Sequence, residues 1–98
     1  MENILVFYGG TSPERDVSVI TGVFTLNSFD KTKFNAIPVY IHSDGVFYTG
    51  DILNNLDFYK QRDLKKCYRV VLLSGSRKLY RLTRNKLKEL CEVDCAIN

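Results

Sequence analysis

Glu14 is the residue of this sequence best placed to do chemistry. It stands in the run ILVFYGGTSPERDVS, where an apolar stretch gives way to Gly9-Gly10, two small hydroxyl residues, Pro13 and then Glu14-Arg15-Asp16. It is a carboxylate just past a glycine turn, expected in the first turn of a helix. That place is the carboxyl end of a strand, where open α/β sheets bind ligands. The same carboxylate can do no more than complement the positive end of the helix dipole, and spacing alone leaves both readings open. Gly9 and Gly10 permit positive φ and close approach of another group. Glycine turns ahead of helices often cradle phosphate, but GGTSPE is neither the dinucleotide fingerprint nor a P-loop, and no Lys-Ser or Lys-Thr pair stands at P-loop spacing. A tight turn that lets substrate and neighbouring loops approach is favoured. Ser12 and Ser18 read as cap and helix-packing residues rather than nucleophiles, because no histidine lies near them in sequence. The single histidine, His42, precedes Ser43-Asp44-Gly45 and reads as a surface turn residue rather than a base.

The elements that must position these residues are a strand, a tight turn and a helix. Ile4 to Tyr8 carries β-branched and aromatic residues without polar interruption, as in a strand buried on both faces, at about residues 3–8. Ser12 suits an N-cap with Pro13 at the first helical position; Thr11 and Glu14 stand at capping-box spacing, so the start could lie one residue earlier. The helix is expected over about Pro13–Ser28, with an apolar face of Val17, Ile20, Val23, Phe24 and Leu26, widened by Val19. Gly22 inside it costs about 1 kcal/mol relative to alanine, which close packing on a strand would explain. Phe34 to His42 reads as a second strand, parallel to the first through a right-handed crossover. Pro38 places it at an edge or breaks its ladder. Ser43-Asp44-Gly45 then turns the chain into a short hairpin strand, Val46 to Tyr48. One short helix is expected from Ile52, Leu53, Leu56 and Phe58 or Tyr59. Tyr68 to Leu73 and Leu79 to Leu82 read as an antiparallel pair. Arg84 to Cys91 fits a helical turn or a strand, and Val93 to Asn98 a buried strand. The fold class is α/β: a mainly parallel, Rossmann-like sheet with flanking helices and one or two β-hairpins.

The run Gly9, Gly10, Ser12, Glu14, Arg15, Asp16, Val17, Ser18 resembles, without a gap, the N-terminal motif of the D-alanine–D-alanine ligases. The second strand leading into a hairpin is a weaker match. So is Val93-Asp94 followed by apolar residues, which in those ligases leads into a His-Gly loop. The resemblance implies that residues 1–98 are the substrate-side domain preceding an ATP-grasp fold, cut at its C-terminal end before that loop. It implies an enzyme that uses ATP and Mg²⁺ to join two D-alanines for peptidoglycan synthesis, through a D-alanyl phosphate, and that pairs as a homodimer. It also implies a role for Glu14, contact with the α-amino group of the first D-alanine, with Gly9, Gly10 and Ser18 forming the wall around it. The ATP and metal sites fall outside this stretch, which alone is not expected to turn over. Relatives that add D-serine or D-lactate share the motif, so the second substrate stays open.

Composition bounds the alternatives. The 98 residues allow one small domain, with 45% apolar and 26% charged residues and a net charge of +3. Lys60, Arg62, Lys65, Lys66 and Arg69 form the densest basic cluster, but Asp57 and Asp63 interrupt it. A solvated face is favoured over a nucleic-acid surface. Cys67, Cys91 and Cys95 are odd in number and lack redox or zinc spacing, so free thiols in a reducing cytoplasm are expected. No secretory signal or membrane-crossing run is read. A different α/β module that meets a nucleotide or sugar phosphate, and a non-catalytic interaction domain, remain as other classes.

Overall fold

In the computed structural model the described residues are 1–10 and 15–97, without the side chains of Arg15, Asp16 and Val17. The expected cap Ser12, the first-turn residues Pro13 and Glu14, and the side chain of Val17 therefore lie outside the described residues.

Strand β1 (Glu2–Gly9) occupies the inside of a sheet, with parallel neighbours on both sides, β2 (Phe34–Ile41) and β7 (Cys95–Ile97). Its successive residues Leu5 and Val6 are buried on opposite faces, at 0% and 1% exposure, which is why the run lacks polar alternation. Beyond β2 the sheet continues through β3 (Phe47–Thr49), β4 (Tyr68–Leu72), β5 (Lys78–Thr83) and β6 (Lys86–Glu92). The order is β6-β5-β4-β3-β2-β1-β7. The α/β class is as expected, but the parallel share is smaller: β1 pairs parallel with β2 and β7, and the other four pairings are antiparallel. The links from β4 to β5 and from β5 to β6 are too short for a parallel crossover.

Helix α1 (Arg15–Leu26) covers one face. Val19, Val23 and Leu26 are buried there with Val6, Tyr8 and Tyr40. Gly22 completes that stripe, at the i, i+3, i+4, i+7 positions of an inward helix face. A Cβ on Gly22 would stand 2.4 Å from Cγ of Tyr8, so the glycine is there for close approach to β1. The inward face is narrower than expected: Ile20 and Phe24 are 60% and 76% exposed. Between β3 and β4 two 3₁₀ turns, Asp51–Asn54 and Leu64–Lys66, flank the one-turn helix α2 (Phe58–Gln61), where one short helix was expected. Leu53 and Phe58 anchor this segment beneath α1.

Pro38 lies in an interior strand. Its carbonyl accepts from Thr49 Oγ1 at 2.6 Å, while the β2–β3 ladder covers Tyr40↔Tyr48 and Ile41↔Phe47 and stops before the proline. Of the two expected outcomes, the broken ladder is the one observed. Of the two readings of Arg84 to Cys91, the strand is observed: a turn in which Arg84 has φ 46° leads into β6. On the other face of the sheet Leu5 and Val39 are buried together with Val70 of β4 and Leu79 of β5. The twisted sheet thus curls so that its antiparallel arm closes its own second face. Asn3 fastens the arm to the start of β1, donating from Nδ2 to the Glu92 carbonyl and from its amide to Asp94 Oδ2.

Candidate functional site

At the carboxyl end of β1 the chain turns through Gly9 and Gly10, with φ of 91° and 112°. Both values favour glycine, yet the two residues meet different surroundings. A Cβ on Gly9 would stand 2.6 Å from the Ile41 carbonyl oxygen and 2.8 Å from Cε1 of Tyr40. At Gly10 no described atom lies within 4 Å of that position. The Gly9 amide donates to Ser18 Oγ at 3.0 Å, and the Gly10 amide donates to the Ile41 carbonyl at 2.8 Å. Both turn amides are therefore spent within the domain. A phosphate cradle needs such N–H groups aimed at the ligand, and these two are not.

Ser18 is a bridge. It sits on the second turn of α1, and its oxygen caps the end of β1. Gly9, Gly10 and Ser18 are thus brought together, with Ser18 joining helix to strand. The remaining predicted site residue, Glu14, lies outside the described residues.

Beneath the turn stands an aromatic cluster. Tyr40 is 1% exposed, and its ring centroid lies 5.8 Å from that of Tyr8 and 5.4 Å from that of Tyr59. The Tyr59 hydroxyl donates to the Leu53 carbonyl at 2.7 Å, so in its hydrogen bond with Tyr8 it is the acceptor. His42 opens the turn expected of it, its carbonyl accepting from the Gly45 amide at 2.8 Å. It is half-buried, with its ring edge-on to Tyr40 and Tyr48, and Nδ1 is 3.3 Å from the Tyr40 hydroxyl. The i, i+2 spacing of Tyr40, near the end of β2, and His42, just past that end, is the signal for their meeting.

Tyr8 and Tyr59 of this cluster stay protonated at neutral pH. Burial, and then the neighbouring Tyr59, push the Tyr8 phenol far above its ordinary range; burial also raises Tyr59. Burial, with Asp63 adding to it, pushes the Cys67 thiol up to about 11. A protonated, partly buried thiol is a poor nucleophile. Among the described residues no three His, Cys, Asp or Glu side chains gather to hold a metal ion. With the turn amides also engaged, they do not offer a fitting site for ATP with Mg²⁺. No helix among the described residues is long and apolar enough to cross a membrane, and the three cysteines are free.

The family model for the D-ala D-ala ligase N-terminus matches residues 3–98. The D-alanine–D-alanine ligase of Thermosipho melanesiensis is 41% identical over 63 residues, which are 64% of this chain and 18% of that protein. The Listeria monocytogenes enzyme of the same name is 39% identical over 59 residues, 59% of this chain and 16% of that protein. The match thus spans less than a fifth of each of these relatives. Among solved structures, the VanG D-Ala:D-Ser ligase from Enterococcus faecalis superposes with a TM-score of 0.75 at 23% identity, covering 97% of this chain and 27% of that one. The D-alanine–D-alanine ligase from Helicobacter pylori gives 0.74 at 19% identity, covering 100% and 29%. These structural likenesses speak to the fold.

Proposed function

The chain belongs to the D-alanine–D-alanine ligase N-terminus family, and from that premise we propose that residues 1–98 form the first-substrate side of an ATP-dependent ligase that makes D-alanyl-D-alanine for peptidoglycan. The observation that carries this reading is the Gly9–Gly10 turn at the carboxyl end of the β2-β1-β7 strands, with no described atom within 4 Å of where a Gly10 side chain would begin, followed in sequence by the Glu14 run. Such an end is where an α/β sheet accepts ligands. Glu14 supplies the carboxylate for the α-amino group of the first D-alanine. Gly10 lets the substrate come close, and Ser18 and Gly9 hold the wall. An ammonium and a carboxylate form a charge-assisted hydrogen bond, among the stronger kinds available to a binding site.

In the whole protein, the first D-alanine carboxylate would take the terminal phosphoryl group of ATP. The amine of the second D-alanine would then attack the acyl carbon, releasing phosphate and a proton. ATP and Mg²⁺ belong to the ATP-grasp part, outside residues 1–98. D-alanine as the second substrate is favoured over D-serine and D-lactate because the relatives near 40% identity bear the D-alanine–D-alanine name. A cytoplasmic location is part of the proposal and suits three free thiols, one of them exposed. So is a homodimer, which sizing at several concentrations tests. Neither nucleic acid nor a membrane surface enters it.

The test is product formation by the full-length protein given ATP, Mg²⁺ and D-alanine, alone or beside D-serine or D-lactate. D-alanyl-D-alanine with stoichiometric phosphate is the expected outcome. A preferred mixed product would replace the second substrate, and no dipeptide at all would overturn the ligase reading. The 98-residue chain alone is expected to release no phosphate above background.

A further inference from the structure

We infer that Tyr40, braced by His42, is a positioning residue that sets where the Gly9–Gly10 turn stands and so shapes the first-substrate subsite; this rests on the ligase reading above. Tyr40 pairs with Tyr8 across the β1–β2 ladder, one residue before the turn. Its ring carbons Cε1 and Cδ1 lie 2.8 and 2.9 Å from where a Gly9 side chain would begin. The main chain of Gly9 therefore rests against the ring. Two other contacts hold the turn, the Ser18 oxygen on the Gly9 amide and the Ile41 carbonyl on the Gly10 amide. Both come from the strand and helix that flank it. Tyr40 supplies the third, and it is the one made by a side chain that can be exchanged without altering a backbone partner.

The ring itself has little freedom. It is enclosed by Tyr8 and Tyr59 on one side, and its hydroxyl reaches His42 Nδ1 at 3.3 Å on the other. His42 in turn stands edge-on to Tyr48 of β3, at 6.1 Å between centroids and 89°. Tyr48 is itself buried. The contacts thus run from β3 through Tyr48, His42 and Tyr40 to Gly9. Binding and reaction geometry tolerate small displacements poorly, so this support is felt as weaker capture of the first substrate.

The experiment compares Tyr40→Leu, Tyr40→Phe, His42→Ala and Leu79→Ala in the full-length protein. It reads half-saturation for the first D-alanine, turnover and thermal midpoint. Leu79 is buried in the core on the other face of the sheet and serves as a control for lost packing. Tyr40→Leu is expected to raise half-saturation on the order of tenfold, with turnover falling less, while Tyr40→Phe, which keeps the ring, returns it to within about threefold of wild type. Leu79→Ala should lower the midpoint and leave half-saturation unmoved. Equal half-saturation in Tyr40→Leu and Leu79→Ala, at a temperature where both are folded, overturns the inference. Should Tyr40→Leu not fold, His42→Ala decides: a rise of about threefold supports the brace, and wild-type half-saturation overturns it. Dipeptide formation with unmoved Tyr40 and His42 variants sinks the positioning role alone. Absence of dipeptide from the wild-type protein removes the ligase reading, and this inference falls with it.

Discussion

Gly22 sits where helix propensity and packing pull in opposite directions. Replacing it with alanine should gain about 1 kcal/mol of intrinsic helix preference. The new Cβ, however, would meet Cγ, Cβ and Cδ2 of Tyr8 at 2.4–2.8 Å. Those atoms are the root of the tyrosine and cannot swing aside, and overpacking of this kind costs roughly 1–3 kcal/mol. Gly22→Ala is therefore expected to lower the urea midpoint; a raised midpoint would contradict the contact. Cys67 gives a pH dependence. Its thiol rises from an ordinary 9.0 to about 11 through burial first and Asp63 second. The unfolded chain thus loses this proton before the folded one does. The stabilisation is complete below about pH 9 and disappears as pH climbs to about 11. Cys67→Ala should flatten that part of the stability profile, and an unchanged slope between those pH values would argue against burial as the cause. At this scale the sequence was a partial guide. It flagged Gly9, Gly10, Glu14 and Ser18 through a gapless motif, but read His42 alone, without the tyrosines that neighbouring strands bring beside it.

Helix α1 shows how an element and most of its inward face can be recognised while the width of that face is overestimated. Apolar residues occur nearly all along it, and the reading gave it a face of Val17, Ile20, Val23, Phe24 and Leu26, widened by Val19. Val19, Val23 and Leu26 are buried, with Gly22 completing their stripe, whereas Ile20 and Phe24 are exposed. Phe24→Ser should change stability by less than about 0.5 kcal/mol, as at other exposed sites. Val23→Ala should cost roughly 1–3 kcal/mol through lost burial and a cavity. Chemical denaturation of the two variants checks this, and similar losses would contradict the observed face. Strand β6 was ambiguous for a different reason. Its register shifts opposite Leu79 and Tyr80, which pair with Cys91 and Glu89 and leave Leu90 as the extra residue. A bulge breaks the two-residue period, so Leu87, Leu90 and Cys91 imitate helical spacing. The first strand, the crossover helix and the hairpin after His42 were legible because nothing interrupts their periods.

At the scale of the whole molecule, the sheet is parallel around the turn and antiparallel in the arm that folds back over its second face. That curl was invisible in the sequence, since it depends on twist accumulated over several strands and on long-range ties such as Asn3 to Glu92 and Asp94. Its consequence is that Val70 and Leu79 are buried although no helix among the described residues joins their cluster. Cys67 just ahead of β4, Cys91 in β6 and Cys95 in β7 carry free thiols. All three thiols should titrate after unfolding without reductant, and an intact mass two hydrogens short would contradict free thiols.

The central claim is that the turn at the end of β1 presents Glu14 to the amino group of the first D-alanine. The measurement is half-saturation for that substrate in the full-length protein, comparing wild type, Glu14→Gln and Glu2→Gln, with thermal midpoints alongside. A charge-assisted hydrogen bond contributes roughly 1.5–3 kcal/mol, so Glu14→Gln should raise half-saturation on the order of 10- to 150-fold. A first-turn carboxylate stabilises its helix by only about 0.3–1 kcal/mol, so the midpoint should barely move, and the exposed Glu2 should behave as wild type. Wild-type half-saturation and turnover in Glu14→Gln, or a loss of activity that merely follows unfolding, would contradict the account.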